Sequence, residues 1–323
     1  MPNRIGLLVG EDHAFVEAIE QRCARHPDIE CELALISRTG ERHISHYDVL
    51  IDRLSPLVPH YGAYLRAAAL AGVTVLNDPF AVAADDGFFG ISLAAHLGMA
   101  VPRTILLPQH SHDSAINTST CLRNVEYPVN WHGMTGYVRM PCVLRSASRP
   151  ERVGPVVVRD LEQLWRAFDR TGQNVTMLQQ HIDEATHVRA VCVGAEQVVL
   201  RGIDGEPPPL DEPHHQLRGS VRIDATGLSS STCEQLESHA RTLCGAVGYD
   251  LASVDFAVRA GVPYVVSAPQ PVPELAPETV SEEGFDQLVE PLAALAVSCA
   301  RGRPRPGSRY RWARAVDQAR SSR

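Results

Sequence analysis

Asp255 is an acid inside the otherwise apolar run Ser253-Val254-Asp255-Phe256-Ala257-Val258, and a buried carboxylate costs several kcal/mol unless a cation or hydrogen-bond donors meet it. Two readings satisfy that requirement: a structural aspartate capped at a strand end, or an acid facing a ligand site. Arg145, Arg149 and Arg152 cluster around residues 146–154 and could hold an anion, since guanidinium groups pair well with phosphate; an exposed, charged turn explains them as easily. His110-Ser111-His112-Asp113 has a spacing open to metal binding, but it lies in a Ser/Thr/Asn-rich segment and is read as solvated surface. The chain holds no lysine, so all 30 basic residues are arginine. Chemistry that depends on a compact ammonium is excluded, because a planar guanidinium is not its equivalent.

The elements that position these side chains follow from spacing. β-Branched residues cluster in 253–258 and 262–267, and Ala260-Gly261 between them supplies a tight turn with a glycine where φ must be positive, which predicts a hairpin. After it, Ser267-Ala268-Pro269-Gln270-Pro271-Val272-Pro273-Glu274 is held extended by three prolines. Arg145 ends a predicted strand, 140–145, whose partner 156–158 returns after a loop. Asp160 caps a helix over 161–169, with Leu161, Leu164, Trp165 and Phe168 as its apolar face. Residues 177–184 read as a strand leaving into an acidic turn, and 188–193 with 197–201 as another hairpin.

Earlier in the chain, strand and helix alternate. Strand 5–9 precedes a helix with Phe15, Val16, Ile19 and Cys23 on one face; strands 33–36 and 47–51, a helix over 61–71 and a strand over 73–76 follow. This order predicts a small parallel sheet with helices on its faces. No G-x-G-x-x-G follows the first strand, so a dinucleotide fingerprint is absent. Then come Asn77-Asp78-Pro79, a helix opening at Asp86-Gly87 and stopping at Gly98, and Pro102-Arg103-Thr104 leading into a strand. Residues 109–130 are polar, and Trp131 and Tyr137 are read as packing under a short helix. Residues 205–219, with Pro207-Pro208-Pro209 and His214-His215, read as a loop; helices over 233–247 and 283–299 and a basic flexible tail over 301–323 complete the chain.

In this order the stretches resemble the ATP-grasp superfamily, of the RimK or glutathione-synthetase type, over nearly the whole chain. The resemblance implies an α/β fold, α+β in its C-terminal lobes: a parallel-sheet pre-ATP-grasp domain over 1–107, an ATP-grasp small lobe with a phosphate-loop hairpin over 108–185, a C-terminal lobe over 186–300 and the tail. It implies ATP and magnesium as cofactors. Arg145 stands where the family has a phosphate-binding lysine, and Gly87 where it has another. Gln180 and Ile182 match the hinge strand that meets the adenine edge, and Glu184 the acid that meets the ribose. Arg189 and Arg201 match arginines that face phosphate or substrate. Asp255 matches the first metal acid, the second falls on Ser267, and the metal-binding Asn falls on Pro269 or Gln270. Restoring Ser267→Glu and Gly87→Lys is expected to be tolerated by the fold and to strengthen magnesium-nucleotide binding.

The family makes an acyl phosphate from a carboxylate and ATP, which an amine or thiol then attacks. With both lysines and the second acid replaced, the resemblance implies a protein that is catalytically inactive or strongly impaired. Residual nucleotide binding and a binding or regulatory role, through a protein partner or a homodimer, would remain. The alternative is an active, magnesium-dependent carboxylate–amine or –thiol ligase for a small-molecule carboxylate or peptide, with arginine in place of lysine. A flavodoxin-like receiver or sugar-binding module suits the first lobe alone.

Composition bounds these readings. The 323 residues are 44% hydrophobic with no apolar run near twenty, which predicts a soluble globular protein of two or three lobes without a membrane segment. Met1 to Arg4 lead directly into a strand-like run, so no signal peptide is expected. Eight scattered cysteines without C-x-x-C read as reduced thiols of a cytoplasmic protein, and a net charge of -8 argues against general nucleic-acid affinity.

Overall fold

The computed structural model describes residues 2–37, 40, 45–148, 154–194, 196–203, 221–222 and 227–302. Arg149 and Arg152, the 205–219 loop and the tail beyond Gly302 lie outside the described residues.

Strand β1 (Asn3–Leu8), helix α1 (His13–Cys23), β2 (Ile29–Leu33), β3 (Val49–Asp52), α2 (Pro59–Ala71) and β4 (Thr74–Leu76) build a parallel sheet in the order β2-β1-β3-β4. Its two central strands, β1 and β3, carry apolar residues toward both faces because both are covered. Ile5, Leu7, Val49 and Ile51 pack with Phe15, Ile19 and Cys23 of α1, and Leu8, Leu50 and Val75 with Tyr64 and Leu65 of α2. Asp12 caps α1 by accepting the Phe15 N–H. The second strand runs over 29–33, not 33–36, and Leu35 is 79% exposed. As an edge strand β2 needs only one covered face, so the alternating Ile29-Glu30-Cys31-Glu32 pairs with β1 and the apolar run after it overshoots the sheet.

Asp78 and Asp86 cap α3 (Pro79–Ala84) and α4 (Gly87–His96). A second sheet follows: β5 (Thr104–Leu107), then α5 (Thr118–Cys121) and α6 (Trp131–Val138), β6 (Cys142–Ser146), β7 (Val156–Val158), α7 (Leu161–Asp169) and β8 (Thr176–Gln180), antiparallel in the order β5-β8-β6-β7. Helices α6 and α7 cover one of its faces. Leu164, Ala167 and Phe168 form the buried stripe of α7, while Trp165, expected in it, flanks the stripe and is half-exposed. Trp131 and Tyr137 belong to α6 itself: Trp131 meets Phe168 edge-on, and Tyr137 is exposed beneath the Arg103 guanidinium.

The third sheet comprises β9 (Thr186–Val193), β10 (Gln197–Ile203), β11 (Val221–Arg222), β12 (Leu251–Arg259) and β13 (Val262–Val265) in the order β11-β10-β9-β12-β13, with α8 (Ser230–Val247), α9 (Pro277–Val280) and α10 (Glu282–Ala300) around it. Ala260 and Gly261, both at positive φ, make the β12–β13 turn. Val188, Ala190, Val254 and Phe256 pack under α8. The opposite face divides along its length. Val191, Val193, Val199 and Leu251 share a core with α10 and the first sheet, whereas His187, Arg189, Asp255 and Ala257 line a cleft toward the second sheet. Among the described residues no helix is long and apolar enough to cross a membrane.

Candidate functional site

The cleft holds about 740 Å³ including its open mouth and is walled by Val143, Ile182, Ile203, Ala257 and Val266. Arg189 on β9 and Asp255 on β12 are register partners, so their side chains leave the same face of the sheet. The Arg189 Nε donates to Asp255 Oδ1 at 2.7 Å and an Nη donates to Oδ2 at 3.0 Å, a two-pronged pair. Burial pushes the Asp255 carboxyl up, but the charge and hydrogen bonds of Arg189, with the charges of Arg145 and His187, outweigh it and hold the group below the usual carboxylate range.

The neighbouring positions complete this arrangement without adding a second acid. Ser267 Oγ accepts the Asp255 N–H at 2.9 Å and is 2% exposed. Gln270 exchanges both backbone hydrogen bonds with Ser253, at 2.7 and 3.0 Å. A hard divalent cation asks for several oxygen ligands. Here the one acid is taken up two-pronged by a guanidinium and its neighbour is a hydroxyl already accepting a bond. Among the described residues no three His, Cys, Asp or Glu are grouped to hold a metal. The donor set does not fit magnesium.

From the second sheet, Arg145 on β6 donates to the Val266 carbonyl and approaches Gln179 Oε1, and it is 9% exposed. At the exit of β8, Gln180 donates its N–H to the Arg103 carbonyl at 2.8 Å and accepts the Arg103 Nε at 3.2 Å. Ile182 is buried, yet among the described residues nothing bonds to its backbone N–H or carbonyl. Ile182 lines the cleft together with these apolar walls. His181 lines the same wall with its ring on Asp183 at 2.7 Å.

No family model and no curated protein matches the sequence. Solved structures do. The D-alanine–D-alanine ligase of Bacillus anthracis complexed with ATP superposes with a TM-score of 0.63 at 12% identity, over 94% of this chain and 100% of its own. A RimK-domain ATP-grasp protein of Sphaerobacter thermophilus gives 0.61 at 15%, over 91% and 99%. The VanG D-Ala:D-Ser ligase of Enterococcus faecalis gives 0.64 at 13%, over 92% and 100%.

The chain has the ATP-grasp fold. Within it, Arg145, Gln180, Ile182, Arg189 and Asp255 are brought together on the cleft wall. Glu184, exposed at φ 53°, and Gln270 are not part of that wall. Arg201 sits opposite Arg189 in the β9–β10 register, but its buried guanidinium lies against Gly284 at the start of α10. Gly87 opens α4, and its N–H donates to the Ala147 carbonyl at 2.7 Å. A β-carbon there would come within 3.2 Å of the Ala147 Cα and carbonyl, so a side chain at this position needs that backbone to give by a few tenths of an ångström. Ser267→Glu would place a second carboxylate at a position only 2% exposed, beside Asp255.

Three polar residues of the ATP-grasp cleft escaped the sequence reading: Gln179, His181 and His187. His187 is two positions before Arg189 on the same strand, so alternation would have found it, whereas Gln179 reaches the wall as the β8 register partner of Val143, a pairing that only the folded sheet gives. His181 lies past the end of β8, where alternation no longer applies. His110 of the H-x-H-D run lies far along the chain from this wall and pairs with Asp169 at 3.3 Å.

Proposed function

We propose that this chain is an ATP-grasp-fold protein that holds a nucleotide in the cleft between its second and third sheets, and that ligase turnover in it is absent or strongly impaired. It serves as a binding or regulatory subunit. The two-pronged Arg189–Asp255 pair supports this reading most directly, because it puts a fixed side-chain cation where the resemblance implies a metal acid. The buried Ile182 on the cleft wall and the apolar side chains around it support the nucleotide part. The fold neighbours support a structural kinship with ATP-dependent ligases.

Calorimetric titration with ATP and ADP, in magnesium and in EDTA, tests it. The expected result is weak binding that magnesium improves little. Micromolar binding that depends strongly on magnesium, or ADP release that Asp255→Asn abolishes, would support an active ligase instead.

A further inference from the structure

The H-x-H-D run opens onto a second concavity, lined by residues between His110 and Tyr127 in the segment that joins β5 to α6. It holds about 770 Å³ including its open mouth and shares no lining residue with the nucleotide cleft. His110 and His112, two positions apart in the chain, both line it. Their stretch is anchored to the small lobe. The His110 ring meets Phe168 edge-on at 5.3 Å, its Nε2 lies 3.3 Å from Asp169 Oδ1, and the Ser111 N–H between the two imidazoles donates to the Gly172 carbonyl at 3.0 Å.

Arg123 lines the same concavity, and among the described residues its guanidinium has no ion pair and no hydrogen bond. A guanidinium beside two imidazoles disfavours a metal ion. Nor is there a third metal-ligating group, since among the described residues no three His, Cys, Asp or Glu stand together, and Asp113 accepts the Ala115 N–H at 2.8 Å. What remains is a set of donors for an anion. Thr118 and Tyr127 bring hydroxyls that bond to no other described residue, and Ser119 brings one that already donates to Asn117 Oδ1 at 2.7 Å. A carboxylate holds its two oxygens in one plane, whereas a phosphate monoester presents three strong acceptor oxygens about a tetrahedral centre. Donors that arrive from three stretches, at His112, Thr118 to Arg123 and Tyr127, suit the tetrahedral group better. Leu122 and the Tyr127 ring add an apolar flank.

We propose that this concavity binds a small-molecule phosphate monoester, with the phosphate on Arg123, His112 and Thr118 and the organic group against Leu122 and Tyr127. The site is separate from the nucleotide cleft and stands whether or not that cleft holds a nucleotide.

Phenyl phosphate is the probe, titrated calorimetrically into the full-length chain and into its Arg123→Gln and His112→Gln variants. Neither side chain bonds to another described residue, so both variants are expected to fold. Arg123→Gln should weaken binding about tenfold and His112→Gln about threefold. An affinity unchanged in both folded variants places the binding elsewhere and overturns the proposal, as does the absence of binding to the native chain. Benzoate, which carries the same ring on a carboxylate, should bind more weakly; equal affinity overturns the phosphate assignment. Inorganic phosphate that binds as tightly as the ester overturns the part played by the apolar flank. Zinc binding to the native chain that His112→Gln abolishes overturns the choice of an anion.

Discussion

One side-chain amide, that of Asn77, satisfies both backbone groups of Leu251: its Nδ2 donates to the Leu251 carbonyl at 2.7 Å and its Oδ1 accepts the Leu251 N–H at 2.8 Å. The same amide also donates to the Pro271 carbonyl and accepts the Asp250 N–H. Asn77 follows the last strand of the first sheet, so this amide joins that sheet to the hairpin bearing Asp255. Asn77→Ala would leave several buried backbone groups unpaired and is expected to lower stability by about 3–5 kcal/mol in urea unfolding. Asn77→Asp should not rescue it, because a carboxylate cannot donate to the two carbonyls. A loss under 1 kcal/mol, roughly one ordinary hydrogen bond, would contradict this account.

Gly87→Ala and Gly87→Lys are both expected to destabilise by about 1–3 kcal/mol, since a β-carbon at 3.2 Å from the Ala147 backbone forces α4 away from the exit of β6. Thermal unfolding of the two variants decides it. If Gly87→Lys unfolds like the native chain and gains magnesium-dependent ATP binding, the close approach of backbone at this position has been overestimated.

The β12–β13 turn has an alanine at φ 50° where Asn or Gly is favoured. Ala260→Asn, which creates an Asn-Gly turn, is expected to raise stability by about 1 kcal/mol. Val262→Asn, just outside the turn, serves as a control and should give no such gain.

The Asp255 carboxyl is held below its usual range in the folded chain, so its ion pair contributes stability above the unfolded carboxylate value of about 3.9 and loses it as pH falls through the lower folded value. At neutral pH, Asp255→Asn is expected to cost about 1.5–3 kcal/mol through the loss of two charge-assisted bonds. The difference between the native chain and the variant should shrink below about pH 3.9. A difference that stays constant from pH 7 to acid unfolding would show that the pair contributes nothing.

Much of the fold was legible because its signals are local. Asp12, Asp86 and Asp160 stand at helix starts and bond there as caps, and Ala260-Gly261 turns where the β-branched arms end. The site was legible in part. Asp255 announced itself as an acid in an apolar strand, but its partner Arg189 comes from a strand 66 residues earlier, and only the β9–β12 register makes the pair. Likewise Arg201 shares that row, yet its guanidinium turns to Gly284, a contact that depends on where α10 docks. Strand 33–36 misled because a continuous apolar run reads as buried, whereas the sheet ends at Leu33.

Helix α10 closes the same core as β1. Leu288, Leu292 and Ala296 pack with Ile5, Leu7 and Ile51 across nearly the whole length of the chain. Translation delivers the first sheet long before it delivers this cover. A nascent chain stalled before residue 282 therefore has only α1 over this sheet face, and the ribosome must finish α10 before β1 gains the rest of its cover.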